Sequence, residues 1–307
     1  MAEGSKVIGW AARDSSGHLS PHSFNLRKTG EEDVVFKVLY SGVDHTDLHV
    51  VRGEIHSPNY PLVPGHEVVG EVVESGKEVK KFKVGDIVGV GCIIWSCGEC
   101  LSCKSKMEQY CHERILTYNA IDKDGRITQG GFSSAMVVNQ RWSWSLRCDY
   151  CKGNGASCDC NKLFSKKREE ALEHLGADAF LVSSNADEME KAANSLDYIL
   201  DTVPAGHPLD SYLSLLKVDG KVIIVGAAPT PLQFIASDLI TGKRNICGSF
   251  VGSIEDTQEI LEFWAEKGLT SMIEIVKIDY VNEAFKRMER NDVRYRFVLD
   301  VAGSNHE

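Results

Sequence analysis

The chain has 307 residues, 43% apolar and 25% charged, which is enough for two domains with separate cores and far from a disordered or membrane composition. A formal net charge of -10 leaves no continuous cationic face for phosphates, so no nucleic-acid partner is expected. No run approaches a membrane span and residues 1–17 lack the apolar core of a signal peptide, so the expectation is a cytoplasmic protein without a membrane partner, whose ten cysteines serve as metal ligands or free thiols.

Residues 6–40 alternate short apolar runs with turn residues, the pattern of strands in a β-barrel. The polar cluster Asp44-His45-Thr46-Asp47-Leu48-His49 opens one helical turn. Gly65-His66-Glu67 then leads into two β-rich runs, 68–73 and 84–90. On local pattern alone Thr46 reads as well as a helix N-cap, His45 and His49 as solvated turn residues, and His66 as a core histidine. Cys97, Cys100, Cys103 and Cys111, spaced x2, x2 and x7 in a polar loop, are expected to close a structural Zn2+ site, because four thiolates can surround a tetrahedral ion at about 2.3 Å. Cys92 and Cys247 stand in apolar runs and read as buried, inert thiols.

Beyond Gln140 the pattern changes. Arg141-Trp142-Ser143-Trp144-Ser145 is followed by Cys148, Cys151, Cys158 and Cys160, either a second metal site or cysteines without a shared role. The β-α-β alternation of an α/β sheet comes next: a helix at 169–175 closed by Gly176, a strand at 197–203, a helix at 209–216 and a strand at 221–226. An amphipathic helix follows at 257–267. No G-x-G-x-x-G follows a strand anywhere.

G-H-E-V-V-G-E-V-V, K-F-K-V-G-D-I-V-G-V-G and the four-cysteine loop resemble the zinc-dependent medium-chain alcohol dehydrogenases. The opening G-W-A-A-R-D-S-S-G-H-L-S-P, the Q-G-G-F and the closing N-D-V-R-Y-R-F-V-L-D-V are similar to the plant cinnamyl alcohol dehydrogenase group. The likeness covers residues 5–140 and 166–303. It implies an α/β protein: a β-rich GroES-like catalytic domain at 1–146, an incomplete doubly wound, Rossmann-type NADP domain at 147–269, and a return to the first domain at 270–307. By the same resemblance Asp44, His66 and Glu67 stand at a catalytic zinc, with Asp44 where the family has a cysteine. Thr46 and His49 stand on a proton relay, Ser165, Lys166 and Lys167 at the NADP 2′-phosphate, and Thr202, Val225, Gly226, Ser249 and Phe250 near the cofactor. A strand at 248–252 would pair two subunits of a homodimer. The implied reaction interconverts cinnamyl aldehydes and alcohols with NADP, as in lignin formation. A second reading stays open, a catalytically inactive, truncated member that keeps the structural zinc and dimerises.

The family's phosphate loop and first nucleotide-domain strand, on the order of fifty residues, have no counterpart here. Read one nucleotide out of frame, residues 148–155 can encode V-T-I-A-K-A-M-G and residues 156–163 a strand-like H-H-V-T-V-I-S-S, which is similar to the family's sequence at that point. The expected consequence is an unpaired sheet edge.

Overall fold

A computed structural model describes residues 4–145, 159–162, 168–228 and 230–304. The chain divides into two compact units, one formed by 1–153 with 252–307 and the other by 154–251. The return to the first unit is thus counted from Gly252, against 270 in the sequence reading.

The first unit opens with an antiparallel hairpin of β1 (Lys6–Ala12) and β2 (Leu19–Asn25). β3 (Asp33–Gly42), β4 (Val68–Ser75) and β5 (Ile87–Val90) follow, with α1 (His45–Val51) between β3 and β4. β6 (Ile93–Trp95) and β7 (Ile115–Leu116) pair at the two ends of the cysteine loop, which holds α2 (Leu101–Lys104). β8 (Ala135–Asn139) pairs with β3. β9 (Ser143–Ser145) pairs antiparallel with β5, so the start of the segment that departs from the family supplies a strand of the first unit. The fit is tight: a Cβ on Gly89 would run into the Trp144 indole, so only glycine serves opposite that side chain.

The second unit begins with β10 (Asp159–Lys162), parallel to β11 (Ala179–Val182). α3 (Ala186–Lys191), β12 (Leu196–Asp201), α4 (Asp210–Leu213), β13 (Leu216–Ile224), α5 (Ala236–Gly242) and β14 (Asn245–Gly248) follow, and β12, β13 and β14 form a separate parallel sheet. The helix expected over 209–216 keeps one turn because Leu216 pairs with Leu196 and opens β13. The subunit-pairing strand expected at 248–252 ends at Gly248. Cys247, expected buried, is exposed, because β14 is an edge strand with little cover.

The pairing has a simple origin. A doubly wound sheet runs in the spatial order 3-2-1-4-5-6. If strand 1 is removed, strands 2 and 3 remain as one pair and strands 4, 5 and 6 as one triplet, and β10–β11 and β12–β13–β14 are that pair and that triplet. Among the described residues β12 pairs on one side only, leaving free the edge where strand 1 would lie, and Tyr198 (65%) and Leu200 (62%) are exposed beside a cavity of about 630 Å³.

The chain returns to the first unit through α6 (Ile254–Lys267), β15 (Ile273–Lys277), α7 (Val281–Glu289) and β16 (Arg296–Asp300). α6 starts three residues before the expected Thr257 because Ser253 and Asp256 form a reciprocal cap. β16 pairs antiparallel with β3, giving a seven-stranded sheet in the order β15-β16-β3-β4-β5-β9, with β8 also on β3. α7 buries Val281, Ala284, Phe285 and Met288, and Phe285 meets Phe132 in a core that includes Phe36, Leu48, Phe297 and Leu299. Among the described residues no helix is long and apolar enough to cross a membrane.

Candidate functional site

Within the cysteine loop, Gly98 takes a left-handed turn that folds the backbone around Cys97. The N–H of Cys100 then donates to Cys97 Sγ at 3.4 Å, and the N–H of Cys97 to Cys111 Sγ at 3.5 Å. The one-turn helix α2 carries Cys103 inward. The Sγ atoms of Cys97 and Cys103 lie 3.9 Å apart, those of Cys100 and Cys103 3.5 Å, and those of Cys97 and Cys111 3.5 Å. Thiolates about 2.3 Å from a tetrahedral Zn2+ stand about 3.8 Å from one another, so the loop fits the ion. Its electrostatics ask for one. Backbone N–H groups of Cys100 and Glu99 pull Cys97 down to about 7, while burial pushes Cys103 up to about 12. A divalent cation would let all four ionise together. The loop also steadies the returning chain: Glu108 accepts from the N–H of Ile254 at 2.9 Å and Lys106 pairs with Glu255 at 2.8 Å.

The second group surrounds His66. Asp44 ends β3's run into α1 and caps the helix, its Oδ1 accepting from the N–H of Thr46 at 2.8 Å; the cap is therefore Asp44 and not Thr46. Asp47 returns the cap, its Oδ2 accepting from the N–H of Asp44 at 3.1 Å. Its other oxygen accepts from the Gly65 N–H and faces His66 Nδ1, each at 3.0 Å. Gly65 has φ +107, and a Cβ there would strike Phe132, so the turn that delivers His66 requires glycine. Tyr118 lies beside the imidazole, ring centroids 5.9 Å apart, and burial raises its phenol well above the usual range. Burial disfavours the charged imidazole, but the carboxylates of Asp47, Asp44 and Glu67 outweigh it and raise His66 to about 9.

Glu67 forms an ion pair with Arg296 of β16, whose other guanidinium nitrogen lies 3.9 Å from Asp44 Oδ2. Among the described residues the four cysteines are the only His, Cys, Asp or Glu group of three or more whose ligand atoms all lie within 4.8 Å of one another. Asp44, His66 and Glu67 do not make such a group. A zinc site takes at least three protein ligands, so these residues, as they stand, do not fit the catalytic ion the resemblance implied. Thr46 is exposed on the first turn of α1 and His49 follows one turn later on the same side, its Nδ1 paired with Glu54. Cys92, expected buried, is partly buried, and that burial pushes its thiol up to about 11.

Thr202, Val225, Gly226, Ser249 and Phe250 come together just past the carboxyl ends of β12, β13 and β14, the side on which open α/β sheets bind ligands. Hydrogen bonds knit the three ends. Val225 and Gly226 donate to Asp201 O at 2.9 and 3.0 Å, and Ser249 donates to Ile224 O at 3.1 Å. These residues fit the half of a dinucleotide that lies over strands 4 to 6. The pyrophosphate cradle of the other half is absent from the sequence. Ser165, Lys166, Lys167 and the group Cys148, Cys151, Cys158 and Cys160 lie outside the residues whose side chains are described. The sequence reading missed Asp47 and Arg296. Asp47 was findable, since a histidine near a metal or reaction site commonly gives its second ring nitrogen to a carboxylate; Arg296, more than two hundred residues away, was not.

A barrel carrying a four-cysteine loop, continued by a parallel α/β sheet, is the architecture of zinc-binding alcohol dehydrogenases. Residues 30–148 match the alcohol dehydrogenase GroES-like domain and residues 145–266 the zinc-binding dehydrogenase domain. A probable cinnamyl alcohol dehydrogenase of Zea mays is 50% identical over 353 aligned positions, covering 100% of this chain and 96% of that one. One from Nicotiana tabacum is 50% identical, covering 97% and 96%. The solved structure of a Sorghum bicolor cinnamyl alcohol dehydrogenase superposes with TM-score 0.94 at 43% identity over 99% of both chains. A Helicobacter pylori enzyme complexed with NADP(H) gives 0.89 at 27% over 99% and 100%. The chain belongs to the cinnamyl alcohol dehydrogenase branch of the zinc-binding dehydrogenases and is an oxidoreductase of that type. The maize alignment spans 353 positions against 307 residues here, 46 more than this chain can fill, which matches the size of the lost strand and loop.

Proposed function

We propose that the chain interconverts cinnamyl aldehydes and alcohols with NADP(H), in the cytoplasm and as a homodimer, as part of phenylpropanoid and lignin chemistry. The observation that carries this reading is the 50% identity maintained across the whole chain to proteins named for that activity. Thr202, Val225, Gly226, Ser249 and Phe250 would hold the nicotinamide half of NADP(H), with Ser165, Lys166 and Lys167 meeting its 2′-phosphate. When bound, the cofactor supplies or accepts hydride. Cys97, Cys100, Cys103 and Cys111 would hold a zinc whose work is structural.

The remaining chemistry belongs to the chain's own residues. Thr46 and His49, three residues apart on one face of α1, can pass a proton between the substrate oxygen and solvent, and the Glu54 contact at Nδ1 fixes how the His49 ring is turned. His66 is held by Asp47 through Nδ1, so Nε2 is the ring nitrogen that would meet a substrate oxygen. The expected ligands of a catalytic zinc, Asp44, His66 and Glu67, do not come together as a three-ligand set. Purified protein mixed with NADPH and coniferaldehyde should consume NADPH, followed by its absorbance. A folded, zinc-loaded preparation that leaves NADPH untouched would favour the inactive-member reading.

A further inference from the structure

In the order 3-2-1-4-5-6 a single strand separates β10 from β12, so the loss of strand 1 bares one edge of each. Among the described residues β10 pairs only with β11 and β12 only with β13, both in parallel. The Ile199 side of β12 packs on the small core of Leu213, Leu216 and Val222. Tyr198 and Leu200 stand on the other side, exposed beside the cavity of about 630 Å³. The residues lining that cavity include Asp197 and Asp201 but neither lysine nor arginine. His207 takes up Asp201 at 2.9 Å, whereas Asp197, near the start of the strand, meets Lys217 at 2.8 Å and keeps its carboxylate 66% exposed.

We propose that this edge is a docking site for an extended apolar segment of another chain, laid parallel to β12 with a cation at its amino end. Each feature of that occupant follows from the edge. A strand that takes the place between β10 and β12 runs parallel to both, and parallel strands, covered on both faces, are continuous apolar runs. Backbone hydrogen bonds to the bared edge supply affinity, and apolar side chains enter the cavity beside Tyr198 and Leu200. A lysine at the start of the segment meets Asp197. A second copy of β12 is a poor occupant: antiparallel about Ile199, it would set Asp197 of each strand against Asp201 of the other.

Residues 221–226, K-V-I-I-V-G, carry the required pattern, and the first four already pair in parallel with residues 198–201 on the opposite edge of β12. A capped, fluorescein-labelled peptide of that sequence is the probe. Added to the full chain, it should bind saturably by fluorescence anisotropy and slow hydrogen exchange along β12 but not along β14, the other edge of the same sheet. Methylating two alternate backbone nitrogens of the peptide should weaken binding about tenfold. A peptide with glutamate in place of its lysine should bind about threefold more weakly, and Asp197→Lys in the protein should restore it. Asp197→Lys reverses an exposed charge, so its circular dichroism should match that of the native chain. Absence of saturable binding would overturn the proposal, as would a methylated peptide that binds like its parent, or protection that appears at β14. Protection of β12 that rises with protein concentration before any peptide is added would also overturn it, by making a second copy the occupant.

Discussion

The two units meet the same deletion in opposite ways. The barrel has mended its broken end: β9, built from residues unlike the family's, pairs with β5 and seats Trp144 against Gly89. The nucleotide unit has not. Its lost strand was the central one, so one missing element leaves two small sheets with two small cores, one around Ala171, Ala177 and Phe180, the other around Leu213, Leu216 and Val222. A barrel can accept any extended segment at an open edge, whereas a sheet wound outward from its middle depends on strand 1 for both halves of its order and for the phosphate loop that follows it.

The contrast can be broken or sharpened by experiment, most forcefully at the metal. Stripping zinc from the four-cysteine loop with a chelator should unfold residues 97–111 and loosen the contact with α6; structural zinc sites commonly carry about 10 kcal/mol or more of apparent binding energy. Loss of the metal without any change in circular dichroism or melting would contradict the reading of the loop. Next in size are paired truncations. Leu299→Ala, in the barrel core, should cost about 2–5 kcal/mol, and Leu200→Ala, on the free edge of β12, less than about 0.5 kcal/mol, both read from denaturant melts. Equal costs would mean that β12 is covered after all.

Gly89→Val should cost about 1–3 kcal/mol by driving the Trp144 indole off β5, and a shift in tryptophan fluorescence should accompany it. A pH dependence at His66 should appear as well. Its folded-state value lies near 9, above the usual 6.5, so the pairing with Asp47 stabilises fully below about pH 6.5 and is lost as pH rises through about 9. Stability should therefore fall across that interval by on the order of 1–3 kcal/mol, and His66→Gln should flatten the profile. An unchanged slope in that variant would place the titration elsewhere.

Much of this contrast could be read from the residues before any coordinates. The cysteine spacing, the β-rich runs and the β-α-β alternation each follow from local chemistry, and the missing glycine loop announced itself by absence of its motif. What could not be read depends on distant partners. Nothing local says that Trp144 would find Gly89, that Asp44 would spend an oxygen as a helix cap, or that Arg296 would cross to Glu67. Cys247 looked buried because its run is apolar, but burial is decided by what covers the faces of the sheet, and the side chains of β14 have little cover.

Hydrogen exchange on the intact protein, resolved by peptide, tests the split sheet most directly. Amides of β3, β4 and β8 should exchange slowly, while those of β12 on its free edge exchange orders of magnitude faster. Protection along β12 equal to that along β3 would show a paired strand there and contradict the account of what the chain has lost.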